Sequence, residues 1–148
     1  MTHFLLALHL VFAVFAVGPL VHAATTAGRG VRRGDGAATA ASARMLRVYS
    51  AASVLVILAG GALMSRKDAD GQHLAEIGDT WIWLSLVLWG VAIGIVLLVL
   101  VPALTKVTQA IERQESVVSQ TAKIAAAGGV VGVLFAAVVT LMAYKPGH

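Results

Sequence analysis

The side chains in this sequence best suited to holding a metal are five His and four Met, with no Cys at all. Imidazole and thioether together form a soft ligand set that suits copper. The absence of thiols excludes disulfides, thiolate zinc sites, iron–sulfur clusters and thiol nucleophiles from this chain. Spacing then narrows the options. His9 and His22 fall in one apolar segment, 13 positions apart. On a helix that separates them by about 20 Å and by roughly 140° of rotation, so they cannot share one metal or one haem. The metal candidates are therefore His9, Met64, His73 and Met142, brought together only if their segments meet. A haem b between helices would need a mixed pair, His9 with Met64 or Met142, because the other apolar segments contain no His. The competing reading makes His3 and His148 tail residues, His73 loop surface and His9 a hydrogen-bonding group inside a bundle.

Other chemistry is missing. No glycine-rich phosphate loop, Ser/His/Asp arrangement or zinc-protease spacing occurs, and the scattered hydroxyls have no base in a recognisable motif. The expectation is a chain that is not an enzyme.

The elements that must position these residues follow from composition. Of 148 residues, 59% are hydrophobic and 12% charged, against about 45–50% and about 25% in a soluble domain. The apolar residues arrive in four blocks, about Phe4 to Ala24, Met45 to Met64, Trp81 to Val101 and Ala122 to Tyr144. Each is close to the roughly 20 residues that cross a bilayer core of about 30 Å as helix. Lipid offers no partner to backbone N–H and C=O groups, so such blocks close their hydrogen bonds internally. The expected class is all-α: a single membrane domain, a polytopic four-helix bundle. Val21-His22-Ala23 resembles a signal-cleavage site, but no Lys or Arg precedes the apolar run. The first block is therefore expected to remain as an uncleaved span.

Sidedness comes from the loops. The first holds Arg29, Arg32, Arg33, Arg44 and Arg47 against Asp35, a net +4. The second holds Arg66 and Lys67 against Asp68, Asp70, Glu76 and Asp79, a net −2. The third holds Lys106, Arg113 and Lys123 against Glu112 and Glu115, a net +1. The positive-inside rule assigns the first and third to the cytoplasm and both termini to the outer side. His3, His9, Met64, His73, Met142 and His148 then approach the outer face. The chain's net charge of +4 belongs beside membrane, and no nucleic-acid partner is implied. Arg33-Gly34-Asp35 spells an adhesion tripeptide, but on the cytoplasmic side it carries no such role.

Packing signals complete the reading. Gly90 with Gly94 and Gly128 with Gly132 are small-xxx-small pairs in the third and fourth spans, at similar depth, and are expected to let that hairpin close tightly. Trp81, Trp83 and Tyr144 fall at the outer interface, where amphipathic rings prefer the headgroups. Trp89 lies deeper and needs either a polar partner or a subunit contact, which makes it a partner-interface candidate. Asp35 could cap an extension of the second helix. The Gly/Ala-rich stretch Gly28 to Ala43 reads as a low-complexity loop, Pro102 as a bend at the third span's exit, and Thr105 to Thr121 as the turn between the last two spans. No Asp or Glu lies inside a span to relay protons, which disfavours transport.

The ordered features Leu8-His9, Gly18-Pro19, Arg32-Arg33-Gly34-Asp35, Gly60-Gly61, Gly78-Asp79-Thr80-Trp81 and Val101-Pro102-Ala103 resemble an uncharacterised bacterial family. Its members are small integral membrane proteins related to the copper-resistance D type, and the resemblance spans about residues 4–112. It implies a four- or five-helix bundle in the plasma membrane and copper or haem handling through a first-helix histidine, here His9. The chain departs from copper-handling members in having few intramembrane His and Met residues.

Two expectations follow. The first is a non-catalytic accessory or stabilising subunit, without a cofactor, embedded in the bilayer of a bacterial plasma membrane beside other integral membrane subunits, with a respiratory assembly as host. The alternative is a copper- or haem-handling membrane protein.

Overall fold

The computed structural model describes residues 2–67, 71–72, 76 and 78–146. Its elements are α1 (Thr2–Arg33), α2 (Gly36–Met64), α3 (Thr80–Ile95), a π-helical turn (Val96–Leu100), α4 (Val101–Glu112) and α5 (Val118–Tyr144). The stretch Thr80–Glu112 is one continuous helix, so the described residues form four helices long and apolar enough to cross a membrane. The all-α four-helix architecture expected from the apolar blocks is the one observed.

The helices overrun those blocks at the arginine-rich end. The stretch Gly28 to Ala43, expected as a loop, is helical apart from Gly34 and Asp35. Ala and Arg are strong helix formers, and charge ends an apolar span without ending a helix. What ends α1 is Gly34, whose φ of +62° suits a residue without Cβ. The Gly34 N–H donates to the Val31 carbonyl at 3.1 Å, and the Asp35 N–H to the Gly30 carbonyl at 3.1 Å. This pair closes the last turn as a Schellman motif. Asp35 then starts α2, its Oδ1 accepting from the Ala38 N–H at 3.0 Å, as the capping expectation had it.

Both prolines inside helices are accommodated. α1 continues through Pro19. Ahead of Pro102 the helix widens over Val96–Leu100, where the Val101 N–H reaches back five residues to the Val96 carbonyl. Proline removes a donor and crowds the preceding turn, and an inserted π turn is a usual way to absorb it.

In the bundle α1 packs against α2 and α5, α3 against α5, and α2 against α4. The buried face of α5 runs Ile124, Gly128, Val131, Phe135, Val138, alternating steps of four and three, the spacing of a left-handed helix seam. On α1 the buried residues run from Ala16 to Val31, while Phe4, Leu6, Leu10, Val11, Val14 and Phe15 are exposed. The core therefore sits toward the arginine-rich end, and the far half of α1 presents apolar side chains outward.

Candidate functional site

Within an interior made mainly of Leu, Val, Ala and Ile, the groups able to do more than pack include hydroxyls and two half-buried rings, Trp89 and His9. Along α2 the positions Thr39, Ala43, Leu46, Ser50 and Ser53 are all buried, again in steps of four and three, so small and polar groups form one stripe facing α3 and α4. Three cross-helix bonds spring from this stripe and its edge. Thr39 Oγ1 and Thr108 Oγ1 lie 2.7 Å apart. Arg47 reaches Thr105 Oγ1 at 3.4 Å through one guanidinium nitrogen. The Trp89 indole N–H donates to Ser53 Oγ at 3.1 Å.

The hydroxyls that make or edge these bonds also have local acceptors, whereas Ser50 Oγ, in the same stripe, is buried without a hydrogen-bond partner. Thr39 can donate to the Gly36 carbonyl, Thr108 to the Leu104 carbonyl, Thr105 to the Val101 carbonyl and Ser53 to the Ser50 carbonyl. Such back-bonding satisfies a hydroxyl in an apolar medium and leaves its lone pairs for a neighbouring helix. The seam is a tether between helices. It contains no base, no acid and no nucleophile–base pair.

Trp89 finds a polar partner within the chain, Ser53, and is half-buried against the core, the first of the two alternatives its depth posed. The glycine pairs are distributed differently from the expected third–fourth span closure. A Cβ at Gly90 or Gly94 would meet nothing within 4 Å. Gly128 instead receives α1: a Cβ there would overlap the Ala24 carbonyl oxygen and lie 2.9 Å from the carbonyl carbon. Gly132 lies beside Thr25, whose Cγ2 would be 3.1 Å from its Cβ. The physical reason is that α1, rich in Ala at positions 23, 24 and 27, offers the flattest surface for a glycine to meet.

Of the metal candidates, His9 and Met64 are half-buried, and His9 packs against a neighbouring helix. Its ring lies over Gly60 of α2, where a Cβ would be 3.2 Å from the imidazole Cε1, and its Nδ1 is buried without a hydrogen-bond partner. Met64 ends α2 one turn beyond Gly60 and is half-buried. Met142 lies on α5 with 37% of its surface exposed. His3 and His22 are exposed. His73 and His148 lie outside the described residues. Among the described residues no three His, Cys, Asp or Glu side chains come together as a metal site. At the same far end Trp81 keeps its indole N–H buried and unpaired, with Lys145 Nζ 5.8 Å above its ring.

Sequence reasoning passed over Ser53, Thr39, Thr105, Thr108 and Ala24. The four-and-three spacing of small and hydroxyl residues from Thr39 to Ser53 is the signal that could have found the α2 stripe. Compared with known proteins, the chain matches no family model, no curated protein and no solved structure.

Proposed function

We propose that this chain is a non-catalytic subunit of a larger membrane complex in a bacterial plasma membrane, acting by helix packing, with a respiratory assembly as the host to test first. The observation that carries this reading is the contrast between two glycine notches. Gly128 is filled by α1, whereas Gly90 and Gly94 are open, with Val87, Val91 and Leu98 exposed along the same side of the helix. Glycine notches let helix backbones approach where no hydrophobic effect drives association. Burial in the four apolar windows, 11% to 28% of residues, leaves wide lateral surface for neighbours. Copurification in mild detergent tests it. The tagged full chain should elute with other membrane subunits, and Gly90→Leu with Gly94→Leu should release it from them. Elution of the wild-type chain alone would overturn the reading.

A second reading, copper or haem b handling, is favoured by the buried, unpartnered Nδ1 of His9, with Met64 and Met142 as the thioethers available. Stoichiometric copper or a Soret band in purified protein, lost in His9→Ala, would support it. Absence of both from the wild type would sink it.

A further inference from the structure

The basic residues at the arginine-rich end are ordered along the bundle axis. Asp35, Glu112 and Glu115 occupy the tips of the two connections at this end together with Arg33 and Arg113, while the other six cations, Arg29, Arg32, Arg44, Arg47, Lys106 and Lys123, sit farther along the helices toward the membrane. On α4, Lys106 lies about 9 Å inboard of Glu112, and on α2, Arg44 lies about 13 Å inboard of Asp35.

Contacts fix the relative height of these residues. Gly30 lies against Ala38 and Thr39, Gly36 against Ile111, and Gly28 against Ala125, and Thr39 meets Thr108. Counting along the antiparallel helices from these pairs, Gly28, Ala41, Thr105 and Ala125 stand at one level, to within about 3 Å. Two side chains with defined directions end there. Arg47 stands level with about Leu100 and its guanidinium reaches back toward the tip, to Thr105 Oγ1 at 3.4 Å. Arg32 stands nearer the tip and folds toward the membrane, its guanidinium nitrogen 3.6 Å from where a Gly28 Cβ would be. The two therefore converge on one height from opposite directions, Arg32 on the α1–α5 side and Arg47 on the α2–α4 side. Arg29 and Lys106 start one residue from that height, Lys123 two and Arg44 three. All six side chains are exposed, and apart from Arg47 none makes a hydrogen bond or ion pair with another described residue.

We propose that these six cations form a collar that binds anionic phospholipid headgroups in the leaflet at this end. Cations converging on one side of the bundle would suit a single small anion. Cations brought to one height around several sides suit a plane of negative charge, which is what a layer of phosphodiesters presents. Long basic side chains reaching along the axis to that plane is the behaviour expected of Arg and Lys near a bilayer interface. The collar stands whether or not the chain has protein partners.

The test is lipid retention by the full chain, purified in mild detergent and offered equimolar phosphatidylglycerol and phosphatidylcholine, read by native mass spectrometry. The expected result is a preference for phosphatidylglycerol that falls about fivefold for each of Arg32→Gln and Arg47→Gln. Arg113→Gln, at the tip, should leave it unchanged, and Arg32→Lys with Arg47→Lys should retain it. Should the Gln variants fail to fold, raising salt to about 0.5 M with the wild type must weaken the preference. Equal retention of the two lipids, a preference unmoved by both the Gln variants and salt, or displacement of the lipid by equimolar inorganic phosphate would overturn the proposal.

Discussion

Gly128 of α5 rests on the backbone carbonyl of Ala24 in α1, so close that a methyl group there would overlap the carbonyl oxygen. Neither backbone can yield by changing a rotamer, so Gly128→Ala must push two helices apart. The expected loss is about 1–3 kcal/mol, the usual range for overpacking, measured as reversible unfolding in detergent. Gly129→Ala, next in sequence but with nothing within 4 Å, should change stability little. Equal effects of the two substitutions would contradict the crossing.

The Trp89–Ser53 bond joins the third crossing helix to α2 at 3.1 Å. Ser53→Ala leaves the indole N–H without its acceptor in a half-buried site. Membrane hydrogen bonds average about 0.6 kcal/mol and reach about 1.7 kcal/mol, and a loss in that range is expected. In a Trp81→Phe, Trp83→Phe background, emission from Trp89 alone should change on Ser53→Ala. Unchanged emission and unfolding together would show that the indole has no bond to lose.

Thr39 and Thr108 each have one proton and two claims upon it, their own helix carbonyl and each other. Thr39→Val and Thr108→Val should each cost about 0.5–1 kcal/mol. The double variant should cost less than their sum, since the shared bond is lost only once. A double-mutant cycle reads this directly, and strict additivity would mean that the 2.7 Å contact contributes nothing.

These residues also show which features were legible in the sequence. Four helices could be read because the bilayer leaves an apolar block of about 20 residues little other choice. Asp35 could be read because a cap is local: its acceptor and donor are three residues apart. The pairing of Gly128 could not, because periodicity shows that a face is small without showing which helix meets it. Gly90 and Gly94 have the same spacing and stand open. The extent of α1 and α2 was obscured by their arginines, which mark the edge of the apolar layer but favour helix beyond it. The serines and threonines of the seam looked like scattered hydroxyls until the three-and-four spacing on α2 was matched by Trp89, Thr105 and Thr108 on the facing helix.

His9 and Gly60 supply the sharpest test of how the far half of α1 is held. In that half, between His3 and Phe15, no residue is fully buried, and the imidazole over Gly60 is a contact between α1 and α2 there. A Cβ at Gly60 would sit 3.2 Å from the ring's Cε1, tighter than ordinary van der Waals contact but against a side chain that can turn. Gly60→Ala should therefore cost about 1 kcal/mol in the wild type, at the low end of overpacking. With the ring removed by His9→Ala the same substitution should become neutral or stabilising, because alanine is the better helix former by about 1 kcal/mol. Gly61→Ala, whose Cβ would meet nothing within 4 Å, should be neutral or stabilising in both backgrounds. The measurement is unfolding in detergent for the four combinations of His9 and Gly60 variants. A Gly60→Ala penalty that persists without the imidazole would place the obstruction elsewhere and release α1 from this contact.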